Sequence, residues 1–303
     1  MREQFANLNF RLDSLSTIDT VNAILDEYEV EGYDLSLRQL YYQMVARGFI
    51  ENSDRSYKRL GDLVNNARLA GLIDWDMIKD RDRETVTPPT WEDPADIVAA
   101  AARAFAIDKW ADQPNHVEVM VEKQALEGVL LPVCEGLGIR FTANKGYSSS
   151  SIMYEAGQRL AEYVAQGKNA FMLYLGDHDP SGIDMTRDVA ERLCLFSREE
   201  IEIDRLALNL DQIEDLKPPK NPAKLTDARA KAYIRRFGLS SWELDAIEPR
   251  ALAGIVTGAV EDLRDPDLWS KMIAREGAMK IDLQNFVKTY KSKNGRGRKA
   301  KGA

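Results

Sequence analysis

The chain is poor in the residues that build covalent or soft-metal frameworks. Its 303 residues include two cysteines, Cys134 and Cys194, two histidines, His116 and His178, and no CxxC pair. That spacing excludes a disulfide scaffold, makes a His/Cys zinc site a poor expectation, and gives a reducing cytoplasm as the default compartment. No apolar run approaches the roughly 18 residues that a membrane helix needs. The first residues, MREQFANLNFRLDSLS, lack the apolar stretch of a secretory signal. There is no internal repeat and no long low-complexity segment outside the C-terminal end. Any metal here is expected to be a hard cation held by carboxylates.

Apolar residues make up 44% of the chain, enough for real cores and too many for a disordered protein. The length suits two domains at about 150 residues each. The net charge of −8 is unevenly spread: residues 288–303, KTYKSKNGRGRKAKGA, carry seven positive charges and no acid, so the remaining body is more acidic still. A disordered basic tail on an acidic body suits a phosphate-seeking arm, and equally a solubilising terminus.

Read for organisation, residues 1–30 hold an N-terminal helix over 16–29, capped by Ser16 or Thr17. Helices at 35–48 and 55–70 follow, then GLIDWDMIKDRDRE, whose alternating Leu72, Ile73, Trp75 and Ile78 read as a short hairpin with Trp75 in the core. Three helices and a hairpin give a winged helix-turn-helix over 31–87. TVTPPTWEDP is the clearest linker, and 88–112 is linker plus a helix over 94–111. From 113 to 210 strands (117–121, 139–143, 170–175, 201–208) alternate with helices (124–137, 150–166, 181–195). That alternation predicts an α/β domain with a mostly parallel sheet covered on both faces. Residues 211–287 read as mainly helical.

Two stretches carry chemistry. VEVMV runs into Glu122, and AFMLYLG runs into Asp177, His178 and Asp179. Function in open α/β sheets gathers at the carboxyl ends of strands. If the two strands are neighbours, three carboxylates share one crevice, with His178 turned away by the alternation of side chains. Such like charges call for a divalent cation, with Mg²⁺ the natural choice for oxygen ligands and substrate phosphates. The bland alternative is an acidic loop capping a helix. Pro180 and Gly182 fit a tight turn into a helix whose N-terminus faces a phosphate.

The second stretch is LRQLYYQMVARG, residues 37–48. At 100° per residue, Leu37, Leu40, Tyr41, Met44 and Val45 form one apolar stripe, so Tyr41 reads as core and Tyr42 as lying outside it. Arg38, four residues before Tyr42, can meet it and assist a phenol whose ordinary pKa is near 10. By periodicity alone a buried or stacked tyrosine is the commoner fate.

VEVMVEKQAL, TANKGYSSSS and LYLGDHDPSGIDM together resemble a toprim domain, the metal-binding module of topoisomerases and related nucleases. SLRQLYY on a winged helix upstream of it resembles the A subunit of topoisomerase VI and the meiotic double-strand-break transesterases, over roughly residues 33–210. Where that family has a proline after the aromatic residue of its Gly-Tyr loop, this chain has Ser148. The resemblance implies Glu122, Asp177 and Asp179 as ligands of Mg²⁺, with Mn²⁺ as a substitute. It implies Tyr42, helped by Arg38, as the nucleophile that leaves a 5′-phosphotyrosyl end on double-stranded DNA. A homodimer is implied too, with Tyr42 of one subunit attacking a phosphate held at the other's metal, and a GHKL-type ATPase partner that this chain does not contain. Lys58, Arg59, Arg68 and Lys145 are the expected DNA contacts, each equally readable as a solvated surface charge. A hydrolytic toprim nuclease that dispenses with the tyrosine is the rival expectation. WELDAIEP, 242–249, reads as the start of a helical subdomain on the sheet, with a further metal ligand at Glu243 or Asp245 as the lesser alternative.

Overall fold

Apolar stripes at helical spacing build the N-terminal part. The structure, a computed structural model, describes residues 2–30, 35–78, 88, 90, 91 and 93–299. Helices α1 (Leu12–Val30), α2 (Leu37–Ala46) and α3 (Asp54–Leu69) pack around one core, with Ile24, Tyr28, Leu40, Met44, Val64 and Ile73 withdrawn from solvent. Ser36 opens α2 with a capping box: its Oγ accepts from the Gln39 N–H at 3.3 Å, and Gln39 Oε1 accepts from the Ser36 N–H at 2.8 Å. Ser53 caps α3, and its own N–H donates to the Tyr41 hydroxyl at 2.8 Å. Tyr41 is therefore core by its ring and a joint between α2 and α3 by its oxygen.

The hairpin expected after α3 differs from what is found. Residues 71–78 form turns ending in a single parallel bridge, Leu35 to Ile78, and residues 79–84 lie outside the described part. Trp75 is 37% exposed, not core. Its ring lies under the Arg68 guanidinium at 5.3 Å and edge-on to Phe5. Most of the Pro-rich linker also lies outside the described residues.

From residue 115 strand and helix alternate as the spacing predicts. Strands β1 (Asn115–Val121), β2 (Arg140–Ala143), β3 (Asn169–Leu175) and β4 (Glu202–Ala207) form a parallel sheet in the order β2-β1-β3-β4. Between them run α5 (Glu127–Leu137), α6 (Ser150–Ala165) and α7 (Pro180–Ser197). Met120, Met172 and Tyr174 point to one face and pack with Met153, Leu160, Val189 and Leu193 of α6 and α7. The alternate residues Val119, Val121, Leu173 and Leu175 are equally buried on the other face. There α5 packs with α10 (Pro249–Asp262).

Leading into α10 are α8 (Leu210–Leu216), the two-residue antiparallel pair β5 (Asn221–Pro222) and β6 (Ser240–Ser241) flanking α9 (Ala230–Phe237), and a 3-10 turn at Leu244–Ala246. Residues 1–83 and 115–263 form one compact unit; 84–114 and 264–303 form another. In the second, α4 (Pro94–Ala104) packs on α11 (Pro266–Lys299). Gln113 clamps the start of α11, accepting from the Asp265 N–H at 2.7 Å and donating to its carbonyl at 3.0 Å. The helix expected to reach 111 ends at Ala104, because Phe105 turns extended. The basic segment expected as a disordered tail continues α11 as far as Lys299. No described helix is long and apolar enough to cross a membrane.

Helices α6 and α7 approach most closely at Gly157, where an added Cβ would stand 2.8 Å from Phe196 Cβ and 3.0 Å from the Ser197 nitrogen. Gly157→Ala is expected to cost about 1–3 kcal/mol through overpacking, measured as a lower urea midpoint. An unchanged midpoint would mean that the two helices can part without cost.

Candidate active site

The strand order makes the site. β1 and β3 are neighbours, and the chain leaves β1 toward β2 on one side and returns to β3 on the other. Their shared carboxyl ends form the switch-point crevice of an open α/β sheet. Glu122 and Asp177 emerge there, with Val121 opposite Leu175 in register. The Asp177 N–H donates to Glu122 Oε2 at 2.8 Å, tying the two ends together. Asp179 caps α7, its Oδ1 accepting from the Gly182 N–H at 2.7 Å and the Ser181 hydroxyl at 2.8 Å. The loop is drawn so tight that a Cβ on Gly182 would fall 2.2 Å from the Asp177 carbonyl oxygen.

Arg205, on β4, supports the loop from behind. Its guanidinium donates to the carbonyls of Gly176 (3.0 Å), Asp177 (2.6 Å), Gly182 (3.1 Å) and Leu208 (3.3 Å), and to the Thr186 hydroxyl. His178 turns away from the acids on either side of it. It exchanges main-chain hydrogen bonds with Trp242, and its ring Nδ1 lies 2.8 Å from the Tyr233 hydroxyl.

Sequence reasoning gave little weight to Glu243 and Asp245 and none to Lys123 as parts of this site. Trp242 is bridged to His178, and this bridge carries both acids to the strand ends. The Leu244 N–H donates to Asp177 Oδ1 at 2.7 Å. The Lys123 ammonium lies 2.8 Å from Asp177 Oδ2 and 3.2 Å from Asp245 Oδ1, and it also touches Glu243 Oε2. Arg38, from α2, adds its guanidinium at 3.0 Å to Asp245 and 3.1 Å to Glu243. Burial opposes the charge on Lys123, but Asp245, Asp177 and Glu243 outweigh it and hold its pKa well above the ordinary value. Burial pushes the carboxyls of Glu122 and Asp177 up. Against that, the N–H and ammonium partners of Asp177 favour its charged form while Lys123 stays in place. In the sequence, the EK pair and the ExD of WELDAIEP were the available signals.

These groups line a cleft of about 820 Å³ whose opposite wall is the Tyr57, Gly61, Val64, Asn65, Arg68 face of α3, with Lys145, Gly146 and Lys224 at its edge. Of the expected residues, Arg38, Arg68, Lys145, Glu122, Asp177 and Asp179 come together here. Lys58 and Arg59 do not: they sit on another face of α3, and Arg59 lines a separate cavity with Asp13 and Glu51. Arg68 is committed to the carbonyls of Trp75 (2.8 Å) and Ile78 (2.5 Å). Lys224, which sequence reasoning passed over inside a Pro-rich stretch, is 3.8 Å from Asp179 with its side chain 67% exposed.

Tyr42 is a correction. Read from α2 alone it lies outside the core; in the fold it is 3% exposed and belongs to the same buried cluster as Tyr41. The 3-10 turn Leu244–Ala246 packs on α2 and covers that face, which the periodicity of one helix cannot reveal. Arg38 does reach its hydroxyl, at 3.4 Å. Burial, then Glu243 and Asp245, nevertheless raise the phenol to about 12, against the pull of Arg38. Arg38 and Tyr42 also lie beside the acids of their own chain, where the resemblance assigns Tyr42 to the metal of a partner subunit.

Hard oxygen donors suit Mg²⁺ in kind, but the arrangement does not fit it. Each of the three expected ligands has a carboxylate oxygen committed to a main-chain N–H, and Lys123 occupies the remaining oxygen of Asp177. Among the described residues no three Asp, Glu, His or Cys side chains gather to hold an ion. No protein-family model matches this chain, nor does the sequence of any curated protein.

The His178 seam has a pH signature. Burial, with Arg205 adding, lowers its pKa to about 4, so the ring is neutral in the folded protein. A folded value below the unfolded one near 6.5 contributes stability that is present above pH 6.5 and lost as pH falls toward 4, by about 3 kcal/mol. Denaturant titrations from pH 7 to 4 should find a flatter acid limb in His178→Gln than in the wild type. Parallel limbs would show that the imidazole accepts its proton in place.

Proposed function

We propose that this chain cleaves phosphodiester bonds of double-stranded DNA in the cleft, with residues 31–87 serving as a winged-helix-like wall and 113–210 as a toprim-like module. The observation that carries the reading is the meeting of Glu122, Asp177 and Asp179, at the ends of neighbouring parallel strands, with Arg38, Lys123, Lys145 and Lys224 in one cleft. Cations at the edge suit the backbone phosphates, which dominate affinity for nucleic acid. Carboxyls raised by burial suit proton transfer near neutral pH.

Of the two nucleophiles, the geometry favours water. Its oxygen attacks phosphorus, its proton passes to Glu122 or Asp177, and the P–O bond to the leaving oxygen breaks. Arg38 and Lys224 offset the charge gathered on the phosphate oxygens. Tyr42 is buried, and its proton is held more tightly than in water. The transesterase reading has one support of its own: the Arg38 guanidinium touches both the Tyr42 oxygen and the acids of the site. That reading adds a homodimer around the duplex and a GHKL-type ATPase partner. Mg²⁺, or Mn²⁺ in its place, belongs to either reading once Asp177 is free of Lys123.

End-labelled duplex and supercoiled plasmid, incubated with Mg²⁺ or Mn²⁺ and quenched in SDS with and without protease, separate the two. Cleavage with free 5′ ends is expected, within about tenfold of wild type in Tyr42→Phe and lowered about a hundredfold or more in Asp177→Ala. Protein-linked 5′ ends that vanish in Tyr42→Phe would put the tyrosine in place of water. No cleavage by any of the three overturns the proposal.

A further inference from the structure

We propose that Lys123 is the resident cation of this site: its ammonium takes the place of the expected divalent ion, and such an ion binds only in exchange for Lys123 leaving Asp177. The inference rests on the phosphodiesterase reading for its purpose, and on the geometry for its content.

An ammonium has three N–H donors and no acceptor. Lys123 faces three carboxylates, from Asp177 at the end of β3 and from Glu243 and Asp245 before α10, and its side chain is only 20% exposed. Every donor of the ammonium thus has an anionic partner. The same Asp177 carries the Leu244 N–H on its other oxygen, so it has none to offer a metal while Lys123 remains. Asp245 has one oxygen toward Lys123 and the other toward Arg38. The cluster is neutralised from within by a tethered point charge.

A divalent ion outbids a single charge for buried carboxylates once Asp177 opens, since attraction scales with the product of the charges. Lys123 then swings out into the cleft, whose other cations stand at its edge. The exchange adds a phosphate-binding cation at the moment the metal arrives. By linkage, a phosphate that captures Lys123 makes metal binding easier.

The test uses the full chain with Mn²⁺ and no DNA. Free Mn²⁺ is followed by electron paramagnetic resonance, and lysine acylation by mass spectrometry, with the exposed Lys224 as the reference. Lys123 should resist acylation without metal and become labelled as Mn²⁺ saturates. Lys123→Met should bind Mn²⁺ at least about tenfold more tightly than wild type, with one charge less to displace. Asp177→Asn should abolish binding in both backgrounds. Should Lys123→Met fail to fold, the labelling of the wild-type protein decides alone. Saturation with Lys123 still protected, no tighter binding by Lys123→Met, or no Mn²⁺ binding at millimolar concentration each overturns the exchange. The cleavage assay is read separately. DNA cut while Lys123 stays protected sinks the exchange and leaves the reaction standing; exchange without cleavage does the reverse.

Discussion

A buried ammonium shared by three carboxylates is the constraint on which the rest of this unit depends. Lys123 follows β1, Asp177 follows β3, and Glu243 with Asp245 arrives from a segment more than sixty residues further along. Arg38 extends the same knot to the N-terminal helices. Withdrawing these charges from water is costly, and their mutual attraction repays it only in good geometry. Removing one partner of such a buried group typically costs about 3–5 kcal/mol. The knot thus fixes how α2, the strand ends and the 242–247 segment sit against one another, more than it adds to net stability.

Main-chain partners carry the precision. Asp177 is held through its N–H by Glu122 and through its carboxylate by the Leu244 N–H, while Asp179 is spent on the first turn of α7. Arg205 gathers the carbonyls of residues 176, 177, 182 and 208 on one guanidinium, using the planar fork that a lysine lacks. His178, between the two aspartates, faces the other way and joins the loop to Trp242 and Tyr233. One short loop therefore presents acids on one side and a neutral seam on the other, following the alternation of an extended chain.

The same packing explains the state of Tyr42. The turn that brings Glu243 and Asp245 to the strand ends also covers α2, so the acids reach the site and the phenol leaves solvent together. Within one chain, an accessible Tyr42 and a closed acidic cluster exclude each other, and any chemistry by that tyrosine begins with movement of the 242–247 segment.

Much of this was legible in the sequence. Period-3.6 stripes set α1 to α3, buried apolar runs set β1 and β3, and the acids directly after those runs marked Glu122, Asp177 and Asp179. The Ser36 box and the DHDPSG turn fixed local geometry without tertiary help, because caps and turns are decided by neighbouring residues. What the tertiary structure decided was everything that depends on which strands are neighbours and on what covers a face. Strand order 2-1-3-4 put two strand ends side by side; the 244–246 turn buried Tyr42; and Lys123, adjacent to an expected ligand, became the counter-charge in its place. Periodicity reports one face of one element, whereas burial and charge pairing belong to contacts between elements far apart in the chain.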